Sequence, residues 1–204
     1  GVAGSAAGVA HASLYPATLT TSDGAYSVGA VSGTMAAGLA SGSEVFTFRW
    51  ASSTSNCQVQ RITFSAQCAG TAFVAGVCNF SAKMARSWTA DGAGGTTITP
   101  SKRRASMAAT SLTRVAIAAT GAMAAGTKTF DSSAFATISA SSAAATTAQI
   151  VAPGTDIWHR PETDSYPFLL VQNEGFSILA TVPGSGTWTF SVSIDWTETL
   201  VANY

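Results

Sequence analysis

The run TWTFSVSIDW, residues 187–196, constrains the fold more than any other stretch of the chain. Trp188, Phe190, Val192, Ile194 and Trp196 fall on one side of an extended backbone, and Thr189, Ser191, Ser193 and Asp195 fall on the other. That period of two belongs to a half-buried β-strand, because a helix would scatter the same residues around its circumference. Such a strand spans roughly 34 Å. Burying its large apolar side chains contributes on the order of 7–15 kcal/mol before chain entropy is subtracted.

The same period recurs along the chain. In EVFTFRW, Phe46, Phe48 and Trp50 oppose Thr47 and Arg49, and in QVQRITFSAQC, Ile62, Phe64, Ala66 and Cys68 share a face. In VCNFSAKMARSW the inward set is Cys78, Phe80, Ala82 and Met84, and AGTAFVAG supplies the Gly-flanked turn before it. SLTRVAIAAT alternates through Val115, Ile117 and Ala119. PFLLV reads as a short buried strand, QNEG as a turn, and FSILATV as a strand ending at the turn PGSG. The Ala/Ser/Thr-rich residues 121–148 predict loops, with an edge strand near Phe135 to Ile138. Seven or more alternating strands without an amphipathic helix predict an all-β fold, an antiparallel β-sandwich. The long strands and extended loops suit a jelly-roll-like form better than an immunoglobulin domain, whose Cys…Trp…Cys spacing is absent.

Residues 1–43 are dominated by Ala, Gly, Ser and Thr, with large apolar side chains scattered out of phase. They read as an extended N-terminal arm with short extended pieces near His11–Tyr15 and Ala25–Val31, wrapping its own domain or reaching a neighbouring subunit. Residues 44–204 read as the sandwich domain. No apolar run is long enough to span a bilayer, and the first residues lack the basic and Leu-rich regions of a signal peptide. Gly1 to Ser5 matches a myristoylation pattern in form only, and removal of an initiator Met or of a propeptide is the preferred reading.

Only 10% of the residues are charged, against roughly 25% in an ordinary soluble domain, and basic and acidic residues balance to a formal net charge of zero. A neutral chain has no field to steer it toward nucleic acid or anionic lipid, so neither is expected as a partner. A surface of small uncharged side chains keeps copies apart poorly, which suits an assembling protein and predicts a homo-oligomer. Cys57, Cys68 and Cys78 form no CxxC. Three buried reduced thiols are expected, with a Cys68–Cys78 bridge the alternative.

Chemistry-bearing constellations are few. The two histidines, His11 and His159, belong to no catalytic or phosphate-loop motif, and DGAGGTT at residues 91–97 reads as a turn. Asp156, His159, Glu162 and Asp164 lie close enough in sequence to suggest a cation site, but a loop that docks on a partner is the preferred reading. Trp158, His159, Arg160 and Tyr166 give that loop the residue types that anchor interfaces. Lys102, Arg103 and Arg104 form the only basic run, too short for a nucleic-acid footprint and better suited to a loop tip or a contact with an acidic partner. Trp50, Trp188 and Trp196 are in phase with apolar faces and belong to the core. Trp88 and Trp158 border loops and form the candidate ligand-facing pair. No catalytic, metal or cofactor site is expected, and the chain reads as non-enzymatic.

Several segments together resemble a family of tailed-bacteriophage virion proteins: EVFTFRWASSTSNCQVQRITFSA, GTAFVAGVCNFSAKMARSWTADGAGGT, GTKTFD, and LVQNEGFSILATVPGSGTWTFSVSIDWTE. The resemblance runs from about Glu44 to Glu198 and includes none of the arm. It implies a virion structural protein of β-sandwich type, a capsid decoration or cement protein. Such a protein is made in the host cytoplasm and binds the major capsid protein or other virion proteins. The alternative expectation is a glycan- or receptor-binding module of a tail fibre or secreted adhesin, with Trp88 or Trp158 as stacking platforms.

Overall fold

The computed structural model describes residues 24–142, 150–160 and 167–201. In chain order the strands are β1 (Gly24–Val31), β2 (Met35–Ala36), β3 (Ser43–Trp50), β4 (Ser55–Cys68), β5 (Gly76–Ala90), β6 (Thr96–Thr97) and β7 (Ser101–Lys102). They continue as β8 (Arg114–Ile117), β9 (Thr127–Phe130), β10 (Ala136–Ser142), β11 (Ile150–His159), β12 (Phe168–Leu170), β13 (Glu174–Thr181) and β14 (Thr187–Leu200). Two antiparallel sheets result. Sheet A has the order β11-β4-β14-β1-β7, with β12 added on β4 and β2 on β14. Sheet B has the order β10-β5-β13-β3-β8-β6, with β9 added on β5.

The antiparallel sandwich expected from the alternating runs is what the chain forms. Its first two long strands pair with its last two, β1 with β14 and β3 with β13. This winding is compatible with the jelly-roll form.

The residues read as inward meet between the sheets. Trp196 of sheet A stacks on Tyr26 at 5.7 Å between centroids and meets the Phe48 ring edge-on at 5.2 Å. Phe48 in turn stacks on Phe176. Toward the other end Phe64, Phe80, Trp188 and Phe190 form a second aromatic group. Trp50, Trp188 and Trp196 are buried in this core. Cys57, Cys68 and Cys78 are free and buried, and burial raises the Cys78 thiol to about 11.

Two sequence expectations meet a different arrangement. Ala25–Val31, read as a piece of an arm, lies within β1, paired with β14 over its whole length and with β7. Met35 is also fully buried, so the residues from Gly24 onward are built into the sandwich rather than preceding it. The other extended piece, His11–Tyr15, lies outside the described residues. The loop expected to start at Asp156 starts later, because Asp156, Trp158 and His159 belong to β11 and pair with β4. The edge strand expected near Phe135–Ile138 forms as β10, which starts one residue later, runs on to Ser142 and stands at the end of sheet B.

Candidate functional site

The two groups of candidate interface residues fall on opposite edges of sheet A. Lys102 ends β7 at one edge, and Arg103 and Arg104 follow it. Trp158 and His159 end β11 at the other edge, and Arg160 follows them. Four strand spacings, about 19 Å, separate the two edges. They therefore do not form one surface. Tyr166, Glu162 and Asp164 lie outside the described residues.

At the β7 edge the basic run is docked onto its own sheet. The Arg103 backbone N–H donates to the Ala25 carbonyl at 3.0 Å, and its guanidinium pairs with Asp195. Asp195 stands opposite Arg61 in the β14–β4 register, and Arg61 Nε donates to Asp156 Oδ1 at 2.7 Å. Arg103, Asp195, Arg61 and Asp156 thus run in alternating sign across the outer face of sheet A. Arg103, read as part of a free basic tip, is satisfied within the molecule, while Lys102 and Arg104 are exposed beside it. Asp156, read as a possible cation ligand, is held by Arg61. Among the described residues no three metal-ligating side chains cluster.

At the β11 edge Trp158 is half-buried. Its ring meets Phe168 edge-on at 5.3 Å, and Phe168 lies 5.0 Å from Phe135 of the facing sheet. With Met84, Arg86, Pro167 and Leu169 these rings line an open cleft of about 290 Å³. Its one charged group, Arg86, is paired with Asp131 and Glu174.

Trp88 does not face a ligand. It is 1% exposed, lying against Gly175 on the outer face of sheet B with its indole N–H on the Ala90 carbonyl. The cause is local backbone. Ser87 has φ 50°, a left-handed conformation that breaks the alternation of β5 and carries Trp88 to the outer face. Arg86, before the break, keeps the phase of Met84 and lines the cleft at the sheet edge with it.

Over the Trp88 ring sits a constellation that the sequence reading missed. The Lys128 ammonium lies 3.8 Å from the ring centroid and donates to Glu44 Oε1 at 2.5 Å, and the Ser177 hydroxyl donates to the same oxygen at 2.8 Å. Both charged side chains are almost fully buried. Burial raises the Glu44 carboxyl and lowers the Lys128 ammonium from their ordinary values, each partly offset by the other. Around this pair Arg49 bridges to Asp91 at 3.1 Å, and the Trp88 backbone N–H donates to the Asn173 carbonyl at 2.8 Å. A buried glutamate with a lysine in a Thr-Lys-Thr strand leaves no periodic trace in a sequence, since only the fold brings them together.

Glu198 was also missed. It accepts from the Thr110 hydroxyl, from the Ser111 N–H and from the Trp196 indole, tying the loop before β8 to the end of β14. Of the ten acidic residues, Asp23, Glu162 and Asp164 lie outside the described residues. The other seven are all engaged by partners in the chain.

Comparison with family models, with curated proteins and with solved structures found no match.

Proposed function

We propose that this chain is a non-enzymatic structural protein of a tailed-phage particle, of the capsid decoration or cement type. On this reading it is made in the host cytoplasm, works in the virion, and binds the major capsid protein or other virion proteins. One observation carries the reading. The segments that resemble phage virion proteins, far apart in sequence, meet one another on sheet B. EVFTFRW brings Glu44 and Arg49, ARSWTADG brings Arg86, Trp88 and Asp91, GTKTFD brings Lys128 and Asp131, and QNEG brings Asn173, Glu174 and Gly175. Their contacts form three groups: Glu44, Lys128, Trp88, Asn173 and Gly175; Arg49 with Asp91; and Arg86 with Asp131 and Glu174. The shared motifs thus serve to hold a sandwich, which is the use a structural family would make of them. The engaged carboxylates support the same reading, because a carboxylate committed to an ion pair is not free for acid–base work.

Co-sedimentation of purified protein with particles lacking it tests the proposal. Saturable binding is expected, and no binding to any particle fraction would defeat it. A deletion that probes the arm has to stop before Gly24, where β1 begins. Loss of binding on removing residues 1–22 would assign the arm a docking role, and undiminished binding would sink that role.

The half-buried Trp158 at the open cleft favours a second reading, a glycan- or receptor-binding module. Saturable binding on a glycan array, abolished by Trp158→Ala, would favour it over the first.

A further inference from the structure

Six stretches of the described residues, 24–43, 62–82, 115–127, 132–142, 150–155 and 175–194, contain no Asp, Glu, Lys or Arg. The topology gathers most of them at one end of the sandwich. There β14 begins at Thr187, β4 ends at Cys68, β13 ends at Thr181 and β5 begins at Gly76. The loops joining these strands, residues 32–42, 69–75 and 182–186, are also uncharged. Apart from buried Glu44, Lys83 on the outer face of sheet B and the Arg61–Asp156 pair across sheet A, the charges of the described residues lie toward the other end, in pairs such as Arg49–Asp91, Arg86–Glu174 and Arg103–Asp195.

The uncharged end is also well tied down. Gly38 N–H donates to the Pro183 carbonyl at 2.8 Å, Ala69 N–H to the Thr187 carbonyl at 2.8 Å, and the Trp188 indole to the Ala36 carbonyl at 3.0 Å. Val74 and Val77 stand out from it, 47% and 54% exposed.

We infer that this end is a docking surface for a second copy of the same chain. A charged partner would bury its ions against a surface offering no counter-charge, which is costly. Interface centres are depleted of charge for that reason. The partner surface must therefore be uncharged, and this end of another copy meets that condition. Net charge of zero leaves no repulsion between copies. A twofold pairing of like ends is self-complementary and leaves the ion pairs in water at the two far ends. Because the loops are already held by hydrogen bonds, little ordering is required on contact. Five strands and two layers give a face of about 500–600 Å² per copy, below the ~800 Å² of a standard stable interface. The pair is accordingly weak and reversible, with a dissociation constant on the order of 1–100 µM. The inference stands on the charge distribution and holds wherever the chain works, so its failure would leave the phage reading untouched.

Sedimentation velocity on the full chain, from about 1 µM to about 300 µM, tests it. A concentration-dependent dimer is expected. Val74→Asp and Val77→Asp should each weaken it at least tenfold, with unchanged thermal melting. Val171→Asp, at the opposite end and 41% exposed, should leave it intact. Raising sodium chloride from about 0.1 M to about 1 M should not dissolve the dimer, since no ion pair holds it. A monomer at every concentration, equal weakening by Val171→Asp, or dissociation by salt would each overturn the inference.

Discussion

At Gly175 a single methyl group has no room: a Cβ there would stand 2.2 Å from the Phe48 carbonyl oxygen and 2.9 Å from the Trp88 ring. The first obstacle is backbone of the neighbouring strand and cannot move aside. Gly175→Ala is therefore expected to lower stability by about 2–3 kcal/mol, read as a fall in urea midpoint at unchanged slope. Glu198 makes a different kind of prediction. Burial raises its carboxyl above the usual 4.5, although its three donors pull it back. The folded state then holds the proton more tightly than the unfolded state does. Its contribution to stability is greatest below the unfolded value and falls as pH rises through the folded one. The stability difference between Glu198→Gln and the parent should therefore shift in favour of the glutamine variant as pH rises from about 4.5 upward. Urea melts across that range would show it, and a flat difference would count against the assigned shift. At this scale the sequence was legible where one residue's neighbours carry its phase, as at Trp188 and Trp196. It was illegible at Trp88, where one left-handed Ser87 reverses the facing of the strand beyond it.

Among the elements, β14 and β1 are neighbours over eight paired positions, yet only β14 announces itself in the sequence. β14 carries Trp, Phe, Val, Ile and Trp on its inner side, whereas GAYSVGAV puts only Tyr26 and Val28 there among glycines and alanines. Small residues alternate without contrast, so the strand merged into an Ala/Gly-rich arm. β11 was hidden for another reason. Pro153 and Gly154 interrupt it, and its register with β4 shifts at three points, so no clean period of two survives. The structural weight of β1 is nonetheless large. Tyr26 is fully buried against Trp196, and its hydroxyl donates to the Ala108 carbonyl at 3.1 Å. Tyr26→Ala should cost about 3–5 kcal/mol. A truncation through Val31 removes the strand between β14 and β7 and should be less stable than one ending at residue 22, read as loss of the cooperative thermal transition by circular dichroism. Equal melting of the two truncations would show that β1 is dispensable to the sandwich.

The whole molecule separates its two jobs by position: large apolar side chains between the sheets, small neutral ones on the faces, and charges drawn into pairs. Low charge content was plain from composition, but its gathering away from one end was not, because that depends on which strand ends the topology places together. The same topology predicts how the molecule opens. The core is one continuous cluster, reaching from Cys57 near one end of sheet A to Cys68 near the other and to Cys78 on sheet B. Burial raises the Cys57 thiol well above its ordinary value, with Glu198 adding to the effect, and raises Cys78 as well, so neither reacts readily while folded. If the sheets part only together, all three thiols become reactive in the same event. Alkylation of the native protein followed by mass spectrometry should then show three adducts or none, with one rate for all three cysteines. Mild denaturant should speed that rate with the same slope that governs global unfolding. Early labelling of Cys78 alone would mean that sheet B frays at the β5–β10 edge before the sandwich opens, and would divide the molecule into two cooperative units where its continuous core implies one.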